Sequence, residues 1–121
     1  MIAYFWVFVG GGLGSMCRFG IANLMARFAW TFPWATFTAN VLSCIVLGVL
    51  YGFSMRGGVN DSLRFLVMTG FCGGFSTFST FSAETFFLFQ TGQVGQGLLN
   101  IFLSLLVCMV CIYLGVRLVQ Q

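Results

Sequence analysis

The feature that most constrains this chain is how little of it can face water. Ser54-Met55-Arg56-Gly57-Gly58-Val59-Asn60-Asp61 is the only clearly aqueous stretch. Almost everything else lies in apolar runs, over approximately residues 2–28, 34–53, 63–90 and 94–119. A helix needs roughly 20 apolar residues to cross the hydrocarbon core of a bilayer, so each run is long enough to span. Charged residues make up 6% of the 121, where a soluble domain of this size carries about 25%. Lipid must therefore be the solvent for most of the surface, and within it only internally satisfied backbone survives. The expectation is one all-α integral membrane domain over residues 1–121, with four transmembrane helices and no linker.

The interruptions are as informative as the runs. Thr31-Phe32-Pro33-Trp34 closes the first span, because proline cannot continue a helix and the aromatics suit a membrane interface. Asp61-Ser62 is placed to cap the third span, and Thr91-Gly92-Gln93 turns the chain into the fourth. The third run is broken at Gly70-Phe71-Cys72-Gly73-Gly74 and continues as the hydroxyl-rich string Ser76-Thr77-Phe78-Ser79-Thr80-Phe81-Ser82. The first run begins without a basic segment and continues past Arg18, so a cleavable leader is not expected.

Composition removes several classes of function. Nucleic-acid binding wants clustered Lys and Arg beside exposed aromatics, and here five isolated arginines stand among phenylalanines that sit in apolar runs. There is no histidine, no paired carboxylate and no Ser/His/Asp or Cys/His set, so enzymatic catalysis has almost no residues to use. Gly10-Gly11-Gly12-Leu13-Gly14 lacks the preceding strand of a phosphate-binding loop. Cys17, Cys44, Cys72, Cys108 and Cys111 are odd in number and lack paired spacing, which reads as small packing residues rather than disulfides or a zinc site.

Orientation is weakly encoded. Arg56, Arg64 and Arg117 fall on the side of the N-terminus, and Arg27 on the other, with Arg18 leaning towards it. Basic residues near the spans set topology, so this small bias fits either insertion in both directions with antiparallel self-pairing or ordinary insertion with few signals.

Polar groups inside a membrane are expensive and usually face protein or a water-filled path. A mid-membrane break frees carbonyls around Gly73 to Ser76, for an ion or for close packing along a glycine seam. Phe78 and Phe81 share a helical face, and the positive rim of a phenyl ring is a usable partner for a small anion. Ser79, Thr80 and Ser82 lie beside them. Asn40 could donate to an anion or clamp two helices. Asn100, Ser104 and Cys108 recur every four residues as a mildly polar stripe, either a hydration track or a helix interface. Arg18 needs a carbonyl, a water vestibule or an acid unless it snorkels, and Glu84 is the only intramembrane acid.

The chain resembles the Fluc (CrcB) fluoride-channel family over essentially its whole length. The matching features are Gly11-Gly12-Leu13-Gly14-Ser15-Met16-Cys17-Arg18, Thr38-Ala39-Asn40 and, most specifically, Gly70-Phe71-Cys72-Gly73-Gly74-Phe75-Ser76-Thr77-Phe78-Ser79-Thr80-Phe81. The resemblance implies an antiparallel, dual-topology homodimer in the bacterial plasma (inner) membrane, conducting fluoride passively through two interfacial pores. Phe78 and Phe81 would line each pore, Asn40 would donate into it, and Ser79, Thr80 and Ser104 would form a polar track. Arg18 and Glu84 would belong to a vestibule, and the carbonyls of Gly73 and Ser76 from both subunits would hold a central Na+. Ser76 stands where the family commonly has Thr, a change that leaves a carbonyl ligand in place.

Two other classes fit a short four-span chain. A proton-coupled small multidrug transporter needs a carboxylate in its first span, and this span has none. A non-transporting assembly subunit would have no use for a broken third helix together with a polar stripe.

Overall fold

The computed structural model describes residues 1–121, all helix and connecting turn with no strand. Helix α1 covers Ile2–Ala26 and α2 covers Trp34–Met55. The third span has two parts. Its first half, α3, runs through Asp61–Leu63, a π-helical stretch Arg64–Phe71 and Cys72–Phe75. After a break at Ser76-Thr77 the second half, α4, covers Phe78–Gln90, and α5 covers Val94–Gln120. Three of these helices, α1, α2 and α5, are each long and apolar enough to cross a membrane alone, and α3 with α4 makes the bent fourth.

Local sequence explains the ends. Pro33 precedes α2, where its missing N–H costs nothing. Gly57 and Gly92, at φ 75° and 80°, occupy the left-handed position after α2 and α4. They let Gly58 N–H reach the Phe53 carbonyl and Gln93 N–H the Leu88 carbonyl, so both helices close in Schellman turns. The cap of α3 is Asn60 rather than the expected Asp61-Ser62. Asn60 sits in extended backbone and its Oδ1 accepts from Leu63 N–H at 2.8 Å, while Asp61 is already helical and places a negative charge in the first turn.

The interior is the inverse of a soluble core. Its buried residues are chiefly glycines (Gly10, Gly14, Gly48, Gly52, Gly70, Gly97, Gly115) and the polar residues Thr36, Ser43, Thr85, Asn100 and Ser104. The buried hydrophobic residues are Phe32, Ala39, Cys72, Phe75 and Leu88, whereas most large apolar side chains point outward. That distribution suits lipid, where helices gain from close backbone approach rather than from burying side chains.

Two glycine seams set the packing. Gly10 and Gly14 of α1 lie against the backbone of α3, and Gly70 and Gly74 of α3 lie against α1 near Gly10 and Gly11. A Cβ on Gly14 would overlap the Phe71 carbonyl. Gly48 and Gly52 of α2 meet Ile112 and Val116 of α5, and Gly115 returns the contact against Gly48. Arg56 donates from Nη1 to the Val119 carbonyl, tying the ends of α2 and α5 at the same side of the bundle.

The seam also corrects the expected position of the break. Gly70, Gly73 and Gly74 remain helical, and the chain leaves helical geometry at Ser76 (φ −81°, ψ 158°) and Thr77 (φ −151°, ψ 121°). Gly70 and Gly74 permit contact with α1, while a side-chain cap just beyond them ends the helix.

Gly14→Ala should lower the melting temperature of the detergent-solubilised protein, reflecting an overpacking cost of about 1–3 kcal/mol. Gly95→Ala, where the added methyl meets nothing within 4 Å, should leave it unchanged or raise it. Thermal unfolding of both variants checks the seam.

Candidate functional site

Breaking a helix within a membrane strands backbone groups, and the structure accounts for those at Ser76-Thr77 one by one. Thr77 N–H would bond to Gly73 in a continuous α-helix. It donates instead to Asn40 Oδ1 at 2.8 Å, and Asn40 Nδ2 donates back to the Thr77 carbonyl at 3.3 Å. Thr77 Oγ1 then accepts from Thr80 N–H at 3.1 Å and caps α4. On the other side of the break, the Cys72 carbonyl accepts from Ser76 N–H, Ser76 Oγ and Ser43 Oγ. Cys72 Sγ donates in turn to the Ser43 carbonyl.

Gly73 and Ser76 are two of the four residues, Gly73 to Ser76, whose carbonyls lose their helical donors at the break. Gly73's would-be donor has gone to Asn40, and Ser76's, the Thr80 N–H, has gone to Thr77. Gly73 is exposed, with nothing within 4 Å of where its Cβ would be. Hard oxygen donors on an uncovered face of the chain suit a small alkali cation.

Beside the break lies a groove of about 210 Å3, lined by Asn40 and Cys44 of α2, Ser76 and Thr77, Phe78 and Phe81 of α4, and Ser104, Leu105 and Cys108 of α5. The Phe78 and Phe81 ring centroids are 5.9 Å apart with planes 39° apart. Phe78 is 78% exposed, so the groove is open on one side in a single copy. Asn40 has two amide protons and the Thr77 carbonyl takes one, which leaves the second for a groove ligand. Ser104 is buried, and its hydroxyl donates to Asn100 Oδ1 at 3.1 Å.

A second cavity, of about 180 Å3, is lined by Arg18 and Phe19 of α1, Ala22, Ala35, Thr36, Thr80 and Glu84. Arg18 is held by a carbonyl: its Nε donates to Gly74 at 3.1 Å, across the α1–α3 seam. Glu84 accepts from Thr36 Oγ1 at 2.5 Å and also borders a wider opening with Trp30, Thr31, Pro33 and Gln93 at the turn between α1 and α2.

The residues nominated from sequence therefore separate. Asn40, Phe78, Phe81, Ser104 and Ser76 come together in the groove. Arg18, Thr80 and Glu84 share the second cavity, and Ser79 is exposed on α4, paired with Thr77 Oγ1 at 3.2 Å. The stripe on α5 divides as well. Asn100 donates to Thr85 at 2.9 Å and is fully buried as a clamp between α4 and α5, while Ser104 and Cys108 reach the groove. Thr36 and Ser43, which the sequence reading did not single out, lie one turn on either side of Asn40. The i, i+4, i+7 spacing of these three polar residues was a readable signal of a stripe on α2.

A family model described as CrcB-like protein, Camphor Resistance (CrcB), matches residues 5–116. A fluoride-specific ion channel FluC of Methylobacillus flagellatus is 40% identical over 118 residues, covering 95% of this chain and 92% of that protein. A protein of the same description from Magnetococcus marinus is 42% identical over 114 residues, covering 91% of each chain. One from Bacteroides fragilis is 32% identical over 120 residues, covering 96% of this chain and 94% of that protein.

Asn40→Ala would leave the Thr77 N–H and carbonyl without partners, at about 1–3 kcal/mol for each unsatisfied buried group. The variant should melt at a lower temperature and exchange its Thr77 amide hydrogen faster. Unchanged exchange would mean that Asn40 does not hold the break.

Proposed function

The chain belongs to the CrcB-like family, and from that premise we propose that it is a fluoride-selective channel, passing fluoride down its gradient through the groove between α2, α4 and α5. It is a multi-pass protein of the bacterial membrane rather than an enzyme. The observation that carries the reading is the juxtaposition of the Phe78 and Phe81 rings with the free amide proton of Asn40 beside a helix break.

Fluoride is small and tightly hydrated, so a pore must replace its water with closely directed partners. Ring rims and an amide donor supply positive potential at short range without a full charge. A wide cationic pore would favour chloride equally, and no arginine lines this groove. Arg18 instead sits in the neighbouring cavity with Thr80 and Glu84, which serves as a vestibule that draws the anion from water. Ser79, at the exposed edge of α4, and Ser104, once its hydroxyl turns from Asn100, extend the polar track. Exporting fluoride in this way confers fluoride resistance.

The groove is closed by a second copy, inserted in the opposite direction. Three features support an antiparallel homodimer: the exposure of Phe78, the uncovered Gly73 carbonyl, and the near balance of basic residues across the membrane. In that dimer the Gly73 and Ser76 carbonyls of both copies would hold Na+, whose charge offsets the convergence of carbonyl dipoles at the interface.

Liposomes containing the purified protein should release fluoride and retain chloride when efflux is followed with ion-selective electrodes. Phe81→Ile should slow fluoride release by about tenfold or more without dissociating the dimer, since it removes the ring rim but keeps an apolar side chain. Release of neither ion by folded protein would remove the channel reading, and unchanged flux in Phe81→Ile would take that ring off the path.

Replacing Na+ throughout with a bulky organic cation should abolish flux, and restoring Na+ should recover it. Full activity after exhaustive Na+ removal would rule out the carbonyl-held cation.

A further inference from the structure

The wall of the groove carries two thiols that fluoride conduction does not use. Cys44 projects from α2 and Cys108 from α5, and both line the groove as free thiols. Their pairing follows from helix register. The α2 and α5 helices run parallel with Gly48 against Ile112 and Gly52 against Val116, so close that a Cβ on Gly48 would lie 2.8 Å from the Ile112 Cα. One turn earlier on each helix, the same register sets Cys44 opposite Cys108.

We propose that Cys44 and Cys108 form a two-coordinate site for a thiophilic d10 cation, of which mercuric ion is the defining probe, set in the wall of the groove. Soft cations select thiolate over the oxygen donors that otherwise line the groove. The site lacks what a zinc site needs, because no group of three or more His, Cys, Asp or Glu side chains is placed to hold a metal. Linear S–Hg–S coordination requires only the two sulfurs. Charge favours it too. Each thiol gives its proton to solvent and a sulfur lone pair to the metal, so two RSH and Hg2+ yield neutral RS–Hg–SR and two protons. No net charge is left in the low-dielectric interior, where an unpaired one is costly.

A metal held there lies among Asn40, Phe81 and Ser104 and obstructs the groove. That consequence rests on the proposed fluoride route; the binding itself does not. Mercuric nitrate in chloride-free buffer is the probe, and native mass spectrometry after washing with a competing monothiol is the first readout. The wild-type chain should retain a single mercury, as should Cys17→Ser and Cys111→Ser, while Cys44→Ser and Cys108→Ser should each lose it. Retention in either of the last two, or none in wild type, overturns the site. If a serine variant misfolds, maleimide alkylation of the wild-type protein decides. Bound mercury should protect both Cys44 and Cys108, and protection of one alone overturns bidentate binding. In liposomes, mercury should slow wild-type fluoride release by about tenfold or more, reversibly with a dithiol. Mercury retained by both thiols with undiminished flux would uphold the site and overturn the groove as the fluoride route.

Discussion

The paired hydrogen bonds between Asn40 and the Thr77 peptide allow a helix to stop inside a membrane, and the site depends on them. In hydrocarbon an exposed N–H or carbonyl has no water to turn to, so an unsupported break would cost several kcal/mol for each stranded group. Asn40 presents a donor and an acceptor in the plane that a neighbouring peptide would offer. It takes over for the missing helical turn and keeps one proton in reserve. With Thr77 so held, Thr77 Oγ1 restarts the helix at Phe78, which fixes the azimuth of Phe78 and Phe81. Ser43 performs the matching task on the other side by donating to the Cys72 carbonyl. A polar stripe on α2 thus builds the site by repairing α3 and α4.

That repair requires the helices to be close, and glycine provides the closeness. Asn40 reaches Thr77 within a bundle in which α2 and α5 approach to backbone contact at Gly48, Gly52 and Gly115, while Gly10 and Gly14 draw α1 onto α3. The same contacts place Arg18 against the Gly74 carbonyl. A bundle spaced by leucine and phenylalanine would hold its axes too far apart for a short amide side chain to bridge. The large side chains are accordingly on the outside of the bundle.

Much of this was legible in the sequence, for physical reasons that also mark where legibility ended. Four apolar runs and a shortage of charge dictate spanning helices, and the ends at Pro33, Gly57 and Gly92 follow from residues with few conformational alternatives. The Gly70–Gly74 cluster drew attention to the right segment, but the choice between breaking a helix and packing it was decided by α1, a tertiary neighbour that local propensity does not contain. The break fell at Ser76-Thr77 because a hydroxyl and a remote amide could cap it there. Similarly, Asn100 reads as polar from sequence, yet only its contact with Thr85 shows that it is spent on a helix clamp. Arg18 had three possible partners, and the seam selected the carbonyl.

The placement of charge bears on selectivity. The groove contains rings, one spare amide proton, hydroxyls and thiols, whereas the nearest guanidinium is tied to Gly74 in an adjoining cavity. A full positive charge in the groove would attract any monovalent anion and hold it tightly, raising occupancy at the expense of passage. Ring rims act differently, because the quadrupole field falls off faster with distance than that of a charge. They reward the anion that approaches most closely. A small ion gains from several rim and amide contacts at once, while a larger halide stays at a radius where the field has already declined. Arg18 in the adjoining cavity and Phe78, Phe81 and Asn40 along the groove keep the full charge apart from the ring rims, and the helix break is what permits both within one short span.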